Sequence, residues 1–129
     1  MGKRVKPTES ELEILQILWE HGPSTVRQVN ERLNELREVG YTTTLKLMQI
    51  MAEKGLVDRD TTQRTHVYRA AVSEEETQQA LLRRFMDLAF RGSATRLVMQ
   101  LLGGGQTTPE ELRAIKELIE RAERAQKDQ

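Results

Sequence analysis

The chain has 129 residues, carries 20 basic and 20 acidic side chains, and contains no cysteine. That length allows one domain or two very small ones, and a missing thiol excludes disulfides and thiolate metal centres and fits a reducing cytoplasm. A net charge of zero excludes a bulk polycation, so any grip on nucleic acid must come from local placement of charge. No apolar run reaches the roughly 18 residues that span a bilayer, and Met1-Gly-Lys-Arg-Val-Lys6 precedes no apolar signal core, so a cytoplasmic protein without membrane contact is expected. Thr8-Glu-Ser-Glu11 is a capping box that opens a first helix, with Leu12, Leu15, Leu18 and Trp19 as its buried stripe and Gly22-Pro23 as its stop. Ser24 is placed to cap a second helix, in which Val26, Val29, Leu33 and Leu36 keep helical spacing up to Gly40.

The third helix is expected over about Thr42 to Lys54. Leu47, Met48 and Met51 give it an anchoring face, and Thr44 is expected to pack inward. Thr42, Thr43, Lys46 and Gln49 occupy the opposite face, where hydroxyls, an ammonium and an amide can reach phosphates and base edges; an ordinary solvated face would carry similar residues. Val57 to Asp60 and Thr65 to Ala70 read as short strands around the polar tip Thr61-Thr-Gln-Arg64. Arg64, Thr65 and His66 then stand where a wing meets phosphate or the minor groove. Ser24, Thr25 and Arg27 open the second helix, whose amides and dipole favour a phosphate, although capping alone would account for Ser24. Three helices and a hairpin in this order are the plan of a winged helix-turn-helix.

A second block starts at the capping box Ser73-Glu-Glu-Glu76. Its helix carries Leu81, Leu82, Phe85, Met86, Leu88 and Phe90, Gly92-Ser93 breaks it, Ala94 to Leu102 forms a short helix, and Gly103-Gly-Gly105 is a joint. Thr107-Thr-Pro109-Glu-Glu111 supplies cap, N1 proline and first-turn acids for a last helix bearing Leu112, Ile115 and Ile119. Folding back on the first block would cover this apolar surface. A twofold mate does so more simply, and Leu81, Phe85, Leu88, Leu97, Leu101, Leu112, Ile115 and Ile119 are the expected dimerisation residues. The fold class is thus mainly α with a small β-hairpin: a winged helix-turn-helix DNA-binding domain over residues 1–72, then a helical dimerisation domain over 73–129.

Catalysis and metal binding find little support. His21 and His66 are the two histidines, each far from any ligand-spaced partner, and the glycine run has neither the strand nor the lysine of a phosphate loop. The expectation is no enzyme, no catalytic residue, no metal and no cofactor.

Thr8-Glu-Ser-Glu-Leu-Glu-Ile-Leu-Gln-Ile-Leu-Trp19, Ser24-Thr-Val-Arg-Gln-Val29, Tyr41-Thr-Thr-Thr44, Lys54-Gly-Leu56 and Val67-Tyr68 together resemble the penicillinase-repressor family (BlaI/MecI/CopY) of bacterial transcription repressors. The resemblance implies a dimeric repressor that binds a palindromic operator in double-stranded DNA. It also implies a regulatory protease as partner, since the β-lactam-sensing members are inactivated by cleavage of an Asn-Phe bond in the C-terminal part. The matching segment here, Arg96-Leu-Val-Met-Gln100-Leu101-Leu102, has different side chains at both positions. The C-terminal cysteine cluster of copper-sensing members is absent, and Ile50 stands where many relatives carry arginine. The alternative is a winged-helix module for protein contacts without sequence-specific DNA binding, to which the neutral charge gives room. A polar rather than apolar Thr42 to Gln49 face speaks for DNA.

Overall fold

The computed structural model describes residues 6–128, so the reading of Met1 to Val5 lies outside the described residues. Helices α1 (Glu9–His21), α2 (Val26–Asn34) and α3 (Tyr41–Lys54) are joined by strands β1 (Ser24–Thr25), β2 (Val57–Asp60) and β3 (Val67–Ala70), and α4 (Glu74–Phe90), α5 (Ala94–Gly103) and α6 (Pro109–Lys127) follow. The chain divides into two compact units, one up to Leu81 and one from Leu82, so the division falls inside α4.

Local chemistry sets the ends of the helices. Thr8 and Glu11 form the reciprocal capping box of α1, and Gly22 closes that helix at φ 81°. The sequence places the α2 cap at Ser24, but the cap is Thr25, which forms a capping box with Gln28. Ser24 is instead buried in β1, where its hydroxyl donates to the Gly22 carbonyl. Helix α2 also stops at Asn34 rather than running towards Gly40, and Leu36 is exposed beyond its end. The reason is a competing set of side-chain hydrogen bonds from Asn30 and Asn34 to the Val39 peptide. At the end of α3, Gly55 adopts the left-handed conformation, and the Leu56 amide donates to the Met51 carbonyl.

The sheet has three strands in the order β1, β3, β2, all antiparallel. The expected hairpin is therefore present, with β1 added at its edge. Two residues carry no readable period, which is why pattern alone does not reveal β1.

The described buried core lies wholly in the first unit. Ile14, Leu15, Ile17 and Leu18 of α1 pack with Val29 and Leu33 of α2, Met48 and Met51 of α3, Leu56 just before β2, and Val57 and Tyr68 of the hairpin. Trp19 is partly buried, and its indole N–H donates to the Val72 carbonyl, tying α1 to the chain just after β3. An ion pair is built into this core: Glu11, 2 % exposed, accepts from the Lys54 ammonium on both carboxylate oxygens, at 2.8 and 2.9 Å, joining the start of α1 to the end of α3. Burial works against the Glu11 charge, yet hydrogen bonds from Lys54 and Thr8 and the Lys54 charge hold its carboxyl below the usual carboxylate range.

In the second part, α4, α5 and α6 contribute no buried residue among those described. Ser73 accepts from the Glu76 amide at the start of α4, and Arg91 and Gly92, both at positive φ, end it. Thr108, Glu111 and Pro109 open α6 with the expected cap, box and N1 proline. No described helix is long and apolar enough to cross a membrane.

Candidate nucleic-acid interface

Helix α3 turns one face into the core and leaves the other open. Met48, Met51 and Thr44 are buried and Leu47 is partly so, whereas Thr42, Thr43, Lys46 and Gln49 are all exposed. Thr43, Lys46 and Gln49 recur every three residues, which makes them one stripe along the helix. Tyr41, half exposed at the leading end, and Ile50, partly buried, flank the stripe and were not distinguished by spacing. The helix starts at Gly40 without a side-chain cap, so its first-turn amides have no side-chain oxygen to satisfy them. The stripe therefore presents hydroxyls, an amide and a single ammonium beside a positive helix end.

The wing brings more cations. Residues 61–66 link β2 to β3 and are exposed, among them Arg64, Thr65 and His66. Asp60 accepts from the Thr62 amide at 3.0 Å and the Thr62 hydroxyl at 2.7 Å, which shapes the tip. Those two bonds, aided by the charges of Arg69 and His66, keep the Asp60 carboxyl below its ordinary range. The strands add Arg59 and Arg69, exposed and unremarked by the sequence pattern, the latter opposite Asp58 across the pair.

Strand β1 gathers a third group. Its pairing sets Thr25 against Val67, the residue after His66, so the start of α2 lies beside the base of the wing. Arg27 and Gln28 are exposed there, and Thr25 is partly buried and occupied as a cap. Ser24 is buried with its hydroxyl engaged by Gly22, so it offers no free donor to a phosphate, contrary to the sequence expectation. His21 is exposed at the end of α1 beside Glu20, and no metal-holding group of His, Cys, Asp or Glu occurs among the described residues.

The residues that hold the turn before α3 are not evident in the sequence either. Asn30 donates to the Val39 carbonyl and to the Thr44 hydroxyl, and Asn34 donates to the Val39 carbonyl and accepts from its amide. Two polar residues four apart on α2 look like solvated positions until the turn that they bind is seen.

The family model described as penicillinase repressor matches residues 7–121. The chain belongs to the penicillinase repressor family. It is 20 % identical over 128 residues to the penicillinase repressor of Bacillus licheniformis, covering 99 % of this chain and 100 % of that protein. It is 32 % identical over 83 residues to the transcriptional regulator BlaI of Mycobacterium tuberculosis, covering 64 % of this chain and 60 % of that one. Among solved structures, a variant of Lactococcus lactis ZitR matches at 18 % identity with a TM-score of 0.48, over 97 % of this chain and 79 % of the other. As a penicillinase repressor family member, this winged-helix protein is a DNA-binding transcriptional regulator and not an enzyme.

Proposed function

We propose that the protein represses transcription by binding a palindromic operator as a homodimer, with a DNA-binding domain over 1–72 and a dimerisation domain over 73–129. The reading rests chiefly on the exposed stripe of α3, polar and singly charged beside a wing rich in arginine, in a chain of a repressor family. Thr42, Thr43, Lys46 and Gln49 enter the major groove. Thr25, Arg27, Arg64, Thr65 and His66 hold phosphates on either side, and Arg59 and Arg69 join them from the wing strands. Ser24 drops out because its hydroxyl is buried and engaged.

Dimerisation is supported by apolar surface. Phe85, Leu88, Leu101, Leu112 and Ile119 are exposed, as are Leu82, Met99 and Leu118, while Leu81, Leu97 and Ile115 are partly buried. Surface of that kind is costly in water and is covered when a second copy docks on it. The protein acts in the cytoplasm. Relief of repression by a regulatory protease belongs to the same reading. Gln100 and Leu101 are exposed but helical, so cleavage there requires the last turn of α5 to unwind.

The test is a titration of genomic duplexes by fluorescence anisotropy at several salt concentrations. A preferred dyad site, with affinity falling steeply as salt rises, is expected from displacement of phosphate counterions. Equal binding of all sequences at every salt concentration overturns the reading. Intact repressor in cells under full induction overturns the protease element alone.

A further inference from the structure

We infer that Asn30, Asn34 and Thr44 are positioning residues that fix the groove-reading turn of α3, and so set how sharply the protein discriminates its operator. The inference rests on the DNA-binding reading above. Helix α2 ends at Asn34 and α3 begins at Tyr41, and the described residues between them form neither helix nor strand. Side chains do the work that backbone pairing does elsewhere. Asn34 Nδ2 donates to the carbonyls of Asn30 at 2.7 Å and Val39 at 2.9 Å, and its Oδ1 accepts from the Val39 amide at 3.1 Å. Asn30 Nδ2 donates to the Val39 carbonyl at 3.0 Å and to Thr44 Oγ1 at 2.9 Å. The Thr44 hydroxyl in turn donates to the Gly40 carbonyl at 3.3 Å.

Apart from the Asn34–Asn30 bond inside α2, these bonds converge on the entry to α3, at Val39 and Gly40, and on Thr44 in its first turn. Thr44 has no exposed surface, and it directly follows Thr42 and Thr43, the exposed candidates for base contact. A helix start normally owes its order to a cap, and α3 has no side-chain cap at Gly40. The network supplies the missing constraint from outside the helix. Packing of Leu33 and Val29 near Met48 holds the two helices together, but apolar contact is non-directional and tolerates small rotations. Hydrogen bonds at defined angles do not. A hydrogen bond to a base edge tolerates a displacement of only a few tenths of an ångström, whereas a lysine reaching a phosphate adapts to more, so loosening the first turn costs specificity before it costs general affinity.

Thr44→Val keeps the buried shape and removes the hydroxyl, Thr44→Ser restores it, and Asn34→Ala cuts the grip on Val39 at an exposed helix end. Each full-length variant is titrated against the duplex that the parent selects from a random pool and against a scrambled duplex, with thermal unfolding measured alongside. The ratio of the two affinities should fall about tenfold in Thr44→Val and Asn34→Ala, the scale of one lost base contact. Scrambled-duplex affinity should stay near that of the parent, and Thr44→Ser should keep the ratio. A role confined to stability would lower the active fraction and weaken both duplexes together with an unchanged ratio, and that result overturns the inference. An unchanged ratio with unchanged affinities overturns it too. A parent that selects no duplex defeats the DNA-binding reading itself, and the inference with it.

Discussion

Lys46 carries the charge of the exposed α3 stripe, and what it touches can be told from how its removal acts. If the ammonium meets a guanine edge, Lys46→Ala weakens operator binding by about 1 to 3 kcal/mol and relaxes preference at one base position. A phosphate contact would weaken every sequence alike. Anisotropy titrations on single-base operator variants separate the two, and a variant that binds as tightly as the parent removes Lys46 from the interface. Glu11 makes a different prediction. Its folded carboxyl titrates below the ordinary value of 4.5, so its charge stabilises the fold above that value, and the contribution is lost as pH falls through the lower folded value. Thermal midpoints measured from pH 6 down to pH 3 should therefore drop across the acid end, and less so in Glu11→Gln, which has no charge to lose. Lys54→Ala strands the carboxylate in the core; since Lys54 is itself partly solvated, the cost is about 2 to 3 kcal/mol, near the lower end for a broken buried pair. Chemical denaturation measures it.

At the scale of the element, glycine and asparagine decide where helices stop. Gly55 ends α3 at φ 82°, and a Cβ built there would meet nothing within 4 Å, so Gly55→Ala pays only the left-handed backbone penalty, about 1 kcal/mol. Urea unfolding of that variant should show this loss with operator affinity intact, because the strain lies at the far end of α3 from Thr42 and Thr43. Helices α1, α3 and α6 were legible because their caps and apolar spacing act within a few residues: Thr8 with Glu11, Met48 with Met51, Thr108 with Pro109. What escaped the sequence depends on partners far along the chain. Ser24 looks like a cap until β3 arrives to pair with it more than forty positions later, and the cap then falls to Thr25. The α2 pattern runs on to Leu36, but the Val39 peptide captures Asn30 and Asn34 and stops the helix early. The candidate interface was readable as an exposed polar stripe on α3. Arg59, Arg69 and Tyr41 were not, since a strand or helix-end position gains meaning only when the hairpin and turn are in place.

For the whole molecule, the burial and the charge point the same way. The described buried residues run from Glu11 to Tyr68, so the first unit holds a core of its own, while α4 to α6 leave Leu88 73 % and Phe85 53 % exposed. A neutral chain cannot rely on total charge to hold DNA, and one winged helix offers few cations to a half-site. Two linked copies make the second half-site contact effectively intramolecular, which raises avidity without new contacts. A chain ending at Leu81 retains the Val72 carbonyl that accepts from Trp19, along with every described core residue. It should fold, sediment as a monomer and bind the operator at least about a hundredfold more weakly than the full chain, the lower end of what avidity supplies. Analytical ultracentrifugation with anisotropy titration of both chains decides. A full chain that stays monomeric at micromolar concentration, or a shortened one that still dimerises, would remove the chain beyond Leu81 from the role of dimer interface.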